Sequence, residues 1–329
     1  MSTKHILEGQ YVIFISMILI KSFLFIASFF VIWYASGIII NVVDSLAHRL
    51  KMSSFVISFF VLGILTSIPE FSVGLNSIIN GRPEIFVGNL LGASLIIFIL
   101  VIPILAIFGN GIKLVHQLTE KNLIFSLLVV ATPVFLIADN LLTRTEGVFL
   151  IFIYGILFYF IEKKGGLLKI FEEKTLPNKK NLAEIITRLI FAISVIFFTS
   201  NFIVNQTIYF SQYFGISSFI ISLIFLSIGT NLPELSLAVR SVTMGKKDIA
   251  LGDYLGSAAA NTLFFGILTL LNGKRVVFGN YAIQTLILTL LGLGIFYLFS
   301  RSKNDISRKE GLILLLVYVV FISVELIFK

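Results

Sequence analysis

Thr66-Ser67-Ile68-Pro69-Glu70 and Thr230-Asn231-Leu232-Pro233-Glu234 each interrupt an apolar stretch long enough to cross a bilayer. An ionisable side chain at membrane depth costs about 2.5–3.5 kcal/mol on insertion scales. A proline beside it removes a backbone hydrogen bond where no water can replace it. That two such elements occur in one chain points to a purpose.

The sequence around them is that of a membrane protein. Of 329 residues 57% are hydrophobic and 13% charged, against about a quarter charged in soluble domains. Apolar runs of about 20 residues, the length that crosses about 30 Å of hydrocarbon, recur along the whole chain. Ten helices are expected, at 18–44, 53–79, 84–108, 122–139, 145–161, 184–211, 216–243, 248–272, 280–299 and 310–328, with no room for a soluble domain. The fold class is therefore all-α integral membrane. The first run does not read as a cleaved signal, because it carries Lys21 and lacks a small-residue cleavage site. Residues 10–20 read as an interfacial extension of the first helix.

The absence of cysteine excludes disulfides, thiol catalysis and thiolate metal sites. His5, His48 and His116 fall near expected helix ends and read as solvated. The net charge of +8 reflects topology rather than nucleic acid. Alternate loops hold 18 cations on one side, from Arg49 to Lys309, and six on the other, Lys4, Arg82, Arg144, Lys274, Arg275 and Lys329. The positive-inside bias makes the first side cytoplasmic, with both termini outside and a lysine-rich cytoplasmic linker at 162–183. Localisation in a plasma (inner) membrane follows, with the lipid bilayer as partner.

The linker divides the helices five and five, into 1–161 and 184–329. An offset of 164 residues aligns Thr66 with Thr230, Pro69 with Pro233, Glu70 with Glu234, and Gly81, Gly88 and Gly92 with Gly245, Gly252 and Gly256, without a gap. An odd number of crossings per half turns the second copy over in the membrane. Broken segments at matching places in two inverted-topology repeats mark the substrate site of a transporter, near the midplane.

Pro69 leaves the Leu65 carbonyl without its helical partner, and Pro233 does the same to Gly229. Each break adds a threonine hydroxyl and a carboxylate. Two carboxylates, freed carbonyls and hydroxyls supply the six to eight hard oxygens that Ca2+ takes. Their charge of −2 balances one Ca2+, two Na+ or two protons, an equivalence on which exchange can run. A single Pro-Glu would read equally well as a kinked helix with a snorkelling acid; two copies in inverted register argue against that.

Gly88 and Gly92, like Gly252 and Gly256, present small faces for close helix packing. Ser257 and Asn261 share a helix face and aim two further oxygens at the site. Their counterparts, Ala93 and Ile97, offer none, so the cavity is expected to be richer in ligands on the second-half side. Asp253 is a second-tier candidate. Glu325, close to the C-terminal end, is expected to be solvated, and Asp44 and Asp139 lie at expected helix ends.

These residues carry a family resemblance. Ile228-Gly229-Thr230-Asn231-Leu232-Pro233-Glu234, followed by Gly252-Asp253-Tyr254-Leu255-Gly256-Ser257-Ala258-Ala259-Ala260-Asn261, resembles the second signature repeat of the cation/Ca2+ antiporter superfamily, which includes the Na+/Ca2+ exchangers. Thr66 to Glu70 with Gly88-Asn89-Leu90-Leu91-Gly92 resembles the first, and the likeness extends over essentially all ten helices. The resemblance implies that Glu70, Glu234, Thr66 and Thr230 ligate Ca2+ and Na+, that Ser67 and Asn231 stand near a Na+ site, and that Ser257 and Asn261 add ligands. Leu65, Ala93 and Ile97 depart from the pattern, which leaves the Ca2+ site intact and impairs at least one Na+ site. The expectation is an antiporter of Ca2+ or a similar divalent cation against Na+, with no cofactor beyond the transported cations. A Ca2+/H+ exchanger is the nearest alternative, and a channel or a transport-dead regulatory paralogue stands in another class. No nucleophile–histidine pair lies at membrane depth, so an enzyme is not expected.

Overall fold

The computed structural model describes residues 2–50, 58–113, 120–165, 179–236, 239, 247–277, 282–301 and 305–327. Nearly all of them are helical. α1, Ser2–Leu50, is a single helix, about 70 Å long at the usual rise per residue; its apolar span is Ser16–Ile39. The expected interfacial extension is thus continuous helix that begins well before residue 10. α2 starts as a π-helical turn, Ser58–Leu62, tightens at Gly63–Thr66 and breaks at Ser67. α3, Ile68–Ile79, continues at 43° to it.

α4 spans Glu84–Phe108 and contains a π turn at Ile97–Val101. α5, Glu120–Leu136, ends in a 3-10 turn, Ile137–Asp139, and α6 is Arg144–Gly165. α7 is Lys179–Phe214, so helix extends into both ends of the expected linker, whose residues 166–178 lie outside the described residues. α8, Ser218–Thr230, carries a π turn at Ser222–Leu226 and breaks at Asn231; residues 232–236 form α9. α10 is Lys247–Asn272, α11 Ala282–Arg301 and α12 Arg308–Ile327.

Among the described residues eight helices are long and apolar enough to cross a membrane, and the bent α2–α3 pair makes a ninth if it is one span. α8 is a shorter apolar helix. Four two-residue strands depart from the all-α expectation. β1, Ile112–Lys113, pairs antiparallel with β4, Asp305–Ile306, and β2, Leu141–Leu142, with β3, Val276–Val277.

The spacing of 164 residues recurs in the backbone. It relates the π turns 58–62 and 222–226, and also β1 to β3 and β2 to β4. Ser67 and Asn231 break their helices with nearly the same geometry, φ −83°, ψ 7° and φ −86°, ψ 11°. The starts of α6 and α12 are equivalent capping boxes. The Thr143 N–H and hydroxyl donate to Glu146 Oε2 (2.6 and 2.7 Å), and those of Ser307 donate to Glu310 Oε2 (both 2.7 Å).

Burial sorts the helices into an inner and an outer set. Over their spans 83% of α4 and 78% of α10 are buried, against 17% for α1 and α7, which pack along each other at the periphery. Glycine lets the inner helices approach the broken ones. A Cβ on Gly256 would collide with the Phe59 carbonyl in the π turn of α2, and one on Gly92 with the Leu223 carbonyl in that of α8. Residues 59 and 223, like 92 and 256, are one repeat spacing apart. The two inner helices therefore cross the two broken helices in the same way.

Candidate functional site

Those crossings bring the broken elements together in the interior. Thr66, Ser67, Glu70, Thr230, Asn231, Glu234, Ser257 and Asn261 are all 2% exposed or less. At each break the side chain reaches a carbonyl one turn back, which at Asn231 also accepts from the backbone N–H at 3.2 Å. The Ser67 hydroxyl lies 2.9 Å from the Gly63 carbonyl, and Asn231 Nδ2 donates to that of Ser227 at 2.8 Å. Pro69 and Pro233 follow, each in the first turn of a resumed helix, where a missing N–H costs little.

The Glu70 carboxyl lies near enough to Glu234 for the charge of Glu234 to act on it. Thr66 lies beside Glu234. Thr230 lies beside Glu70, with its hydroxyl directed to Asn89 Oδ1 at 3.3 Å. The Ser67 and Ser257 hydroxyls are 2.8 Å apart, and Ser257 donates to Glu234 Oε1 at 3.1 Å. Asn261 Nδ2 donates to Ser94 Oγ at 3.3 Å. All eight residues expected at the site therefore fall in or beside one buried polar cluster.

Among the described residues several acceptors in this cluster have no hydrogen-bond partner of good geometry: both oxygens of Glu70, Glu234 Oε2, Asn231 Oδ1 and Asn261 Oδ1. Buried polar atoms are ordinarily paired. Neither glutamate forms an ion pair among the described residues, and no third acid, histidine or cysteine joins them there. Two carboxylates surrounded by hydroxyl and amide oxygens make a hard-oxygen donor set that suits a desolvated cation.

Two residues of the cluster were missed from the sequence. Asn89, fully buried, orients Thr230; it sits one repeat spacing before Asp253, which was singled out, and that alignment is the signal that identifies it. Ser94 meets Asn261 from the α4 side, so the first half is less bare than Ala93 and Ile97 suggested. The Asp253 side chain and the whole of His116 lie outside the described residues, as do the side chains of His5, His48 and Asp44. Asp139 is exposed at a helix end, as expected. Glu325 corrects the sequence reading. It is fully buried, because it continues the inward stripe of α12.

The sequence matches the profile of the sodium/calcium exchanger protein family over residues 20–162 and 185–326. The chain belongs to that family. It is 24% identical over 314 residues to the inner membrane protein YrbG of Escherichia coli (strain K12), covering 93% of this chain and 96% of that protein. It is 29% identical over 143 residues to the sodium/calcium exchanger MaX1 of Methanosarcina acetivorans, covering 43% and 41% respectively. A solved structure of the sodium-calcium exchanger NCX_Mj, soaked with 100 mM Na+ and 10 mM Sr2+, superposes with a TM-score of 0.67 at 22% identity, covering 93% of this chain and 98% of that one. At that identity the likeness speaks for the fold. Family membership makes the chain a multi-pass membrane transporter of inorganic cations, in a family of exchangers rather than enzymes.

Proposed function

We propose that the chain is a secondary antiporter that exchanges Ca2+, or a similar divalent cation, for Na+ by alternating access. The observation that carries this reading is the buried pair Glu70 and Glu234, with the unpartnered oxygens around it. Two charges without a counter-ion are costly at membrane depth. A divalent cation or two monovalent ones neutralise the pair, so the loaded site can pass between states while the empty one is penalised. Thr66, Thr230, Ser67, Asn231, Ser257 and Asn261 complete the ligand set, and no resident cofactor is needed.

Ten crossings in two inverted five-helix repeats, 1–161 and 184–329, form the frame of this reading. α8 with α9 is read as part of the tenth crossing. The recurrence of π turns, breaks, strands and capping boxes at 164 residues supports the repeat, and so does the profile match to each half separately. The 18 to 6 division of cations supports a plasma-membrane topology with the linker cytoplasmic and both termini outside.

Protons are the second reading for the counter-ion, favoured by Ala93 and Ile97 where the family resemblance leads one to expect polar ligands. Uptake of 45Ca2+ by proteoliposomes under an imposed Na+ gradient and, separately, a pH gradient tests both. Saturable uptake driven by one gradient, with counter-flow, is expected. Non-saturable flux without counter-flow would indicate a channel, and no flux at all would sink the exchanger reading.

A further inference from the structure

Glu325 is a buried acid that the central site does not use. It lies in α12 at the end of the inward stripe Gly311, Leu314, Tyr318, Phe321 and Glu325. Two side chains at the start of α11 hold it: Thr285 Oγ1 donates to Oε1 at 2.8 Å, and Gln284 Nε2 to Oε2 at 3.2 Å. The same Gln284 nitrogen lies 3.3 Å from the Val324 carbonyl.

Two neutral donors do not offset a buried carboxylate's charge. No ion pair reaches Glu325 among the described residues. On the elements packed around it, α11 carries no charge before Arg301, and the charges of α12 lie at its other end, Arg308, Lys309 and Glu310. The turn after α5, held to the start of α11 by Asn140 Oδ1 accepting from the Ala282 N–H (3.3 Å), offers only Asp139, which is exposed and accepts from the Leu141 N–H. Tyr318, two turns away, is the other titratable side chain on the stripe.

Polar side chains lie between this acid and the centre of the protein. Thr289, one turn along the same face of α11 as Thr285, lines a small cavity together with Ser94 and Asn261. Asn261, whose Oδ1 has no hydrogen-bond partner among the described residues, is one of the residues lining that cavity. One turn from Asn261 is Ser257, which donates to Glu234. Thr285, Thr289 and Asn261 are thus polar side chains spaced between Glu325 and the central pair, the last two sharing one cavity.

We infer that Glu325, with Thr285 and Gln284, is a second cation-binding carboxylate, which takes one monovalent cation, H+ or Na+, and serves the counter-ion arm of exchange along the α11 face. The inference rests on the exchanger reading. The Glu325→Gln variant keeps the size of the side chain and an oxygen for Thr285 but removes the charge.

The test compares wild type and E325Q in vesicles of phosphatidylethanolamine and phosphatidylglycerol. One assay is Ca2+/Ca2+ exchange, which needs no counter-ion; the others are 45Ca2+ uptake driven by a Na+ gradient and by a pH gradient. E325Q is expected to leave Ca2+/Ca2+ exchange near wild type and to lower gradient-driven uptake about tenfold, the effect of about 1.4 kcal/mol at the counter-ion step. The gradient whose effect is lost identifies the ion. Equal losses in all three assays would make Glu325 a structural clamp between α11 and α12, and no loss in any would make it silent; either result overturns the inference. Should E325Q fail to reach the membrane, Thr289→Val, which removes only one hydroxyl from these polar side chains, carries the same comparison. A wild type without gradient-driven flux would instead refute the exchanger reading, and the inference with it.

Discussion

Glu70 and Glu234 occupy equivalent positions after equivalent helix breaks, yet the helices behind them differ. Behind Glu234, α10 places Ser257, whose hydroxyl donates to the carboxylate. Behind Glu70 the corresponding residue is Ala93, and among the described residues no donor, Thr230 beside it included, makes a hydrogen bond of good geometry to either oxygen of Glu70. One turn further on, α10 has Asn261, while α4 has Ile97 at the start of a π turn. The backbone repeat therefore builds two like frames, and substitutions on the inner helices make the two acids unlike. On the proposed function, Glu70 depends on the transported ion for its partners more than Glu234 does.

The largest effect that follows from this difference is expected at the acids themselves. Glu70→Gln and Glu234→Gln should each reduce gradient-driven 45Ca2+ uptake by more than about a hundredfold, since breaking a buried charged assembly costs about 3–5 kcal/mol. E70Q should be the more severe. Ser257→Ala removes the bond that distinguishes the two and should cost about tenfold on its own, within the range for a hydrogen bond to a charged group. In the S257A background E70Q and E234Q should become equally damaging. Wild-type uptake by either glutamine variant would show that the pair does not hold the cargo.

The glycine crossings test whether the frames are alike. Gly92→Ala and Gly256→Ala each drive a methyl group into a carbonyl of the facing π turn, and overpacking of this kind costs about 1–3 kcal/mol. The two variants should lower the thermal stability of the detergent-solubilised protein by similar amounts. Gly155→Ala, where an added Cβ meets nothing within 4 Å, should leave it unchanged or raise it slightly. Unequal losses at Gly92 and Gly256 would mean that the frames differ as well as the ligands.

Much of this was legible in the sequence because the repeat is gapless and proline and glutamate are costly in hydrocarbon. Those two facts mark Thr66, Glu70, Thr230 and Glu234; a shared helix face marks Ser257 and Asn261, the family resemblance adds Ser67 and Asn231, and apolar run length marks the eight long helices. The π turns do not: a glycine of another helix lies against each, and no local residue pattern encodes such a long-range contact. The strands are two residues long, too short for any alternation to register. Ser94 was overlooked because only the positions of the family pattern, Ala93 and Ile97, were compared across the repeat. Glu325 was legible and misread: the spacing of Gly311, Leu314, Tyr318, Phe321 and Glu325 marks one helix face, but nearness to the chain end suggested solvent.

The smallest and most discriminating effect is expected at the two substituted positions. Ala93→Ser with Ile97→Asn would give α4 the side chains that α10 carries at Ser257 and Asn261. Ile97 and Ala93 are fully buried, so the new amide must find partners or cost about 1–3 kcal/mol. The ion site is the nearest source of them if the pseudo-symmetry extends to the side chains. Na+-driven uptake should then rise relative to pH-driven uptake, by up to about tenfold, as expected for one added hydrogen-bonding ligand worth about 1.5 kcal/mol. A stable double variant whose Na+ dependence is unchanged would separate counter-ion choice from the difference between α4 and α10. The preference would then have to be set elsewhere, and the α11 face that leads to Glu325 is the next place to test.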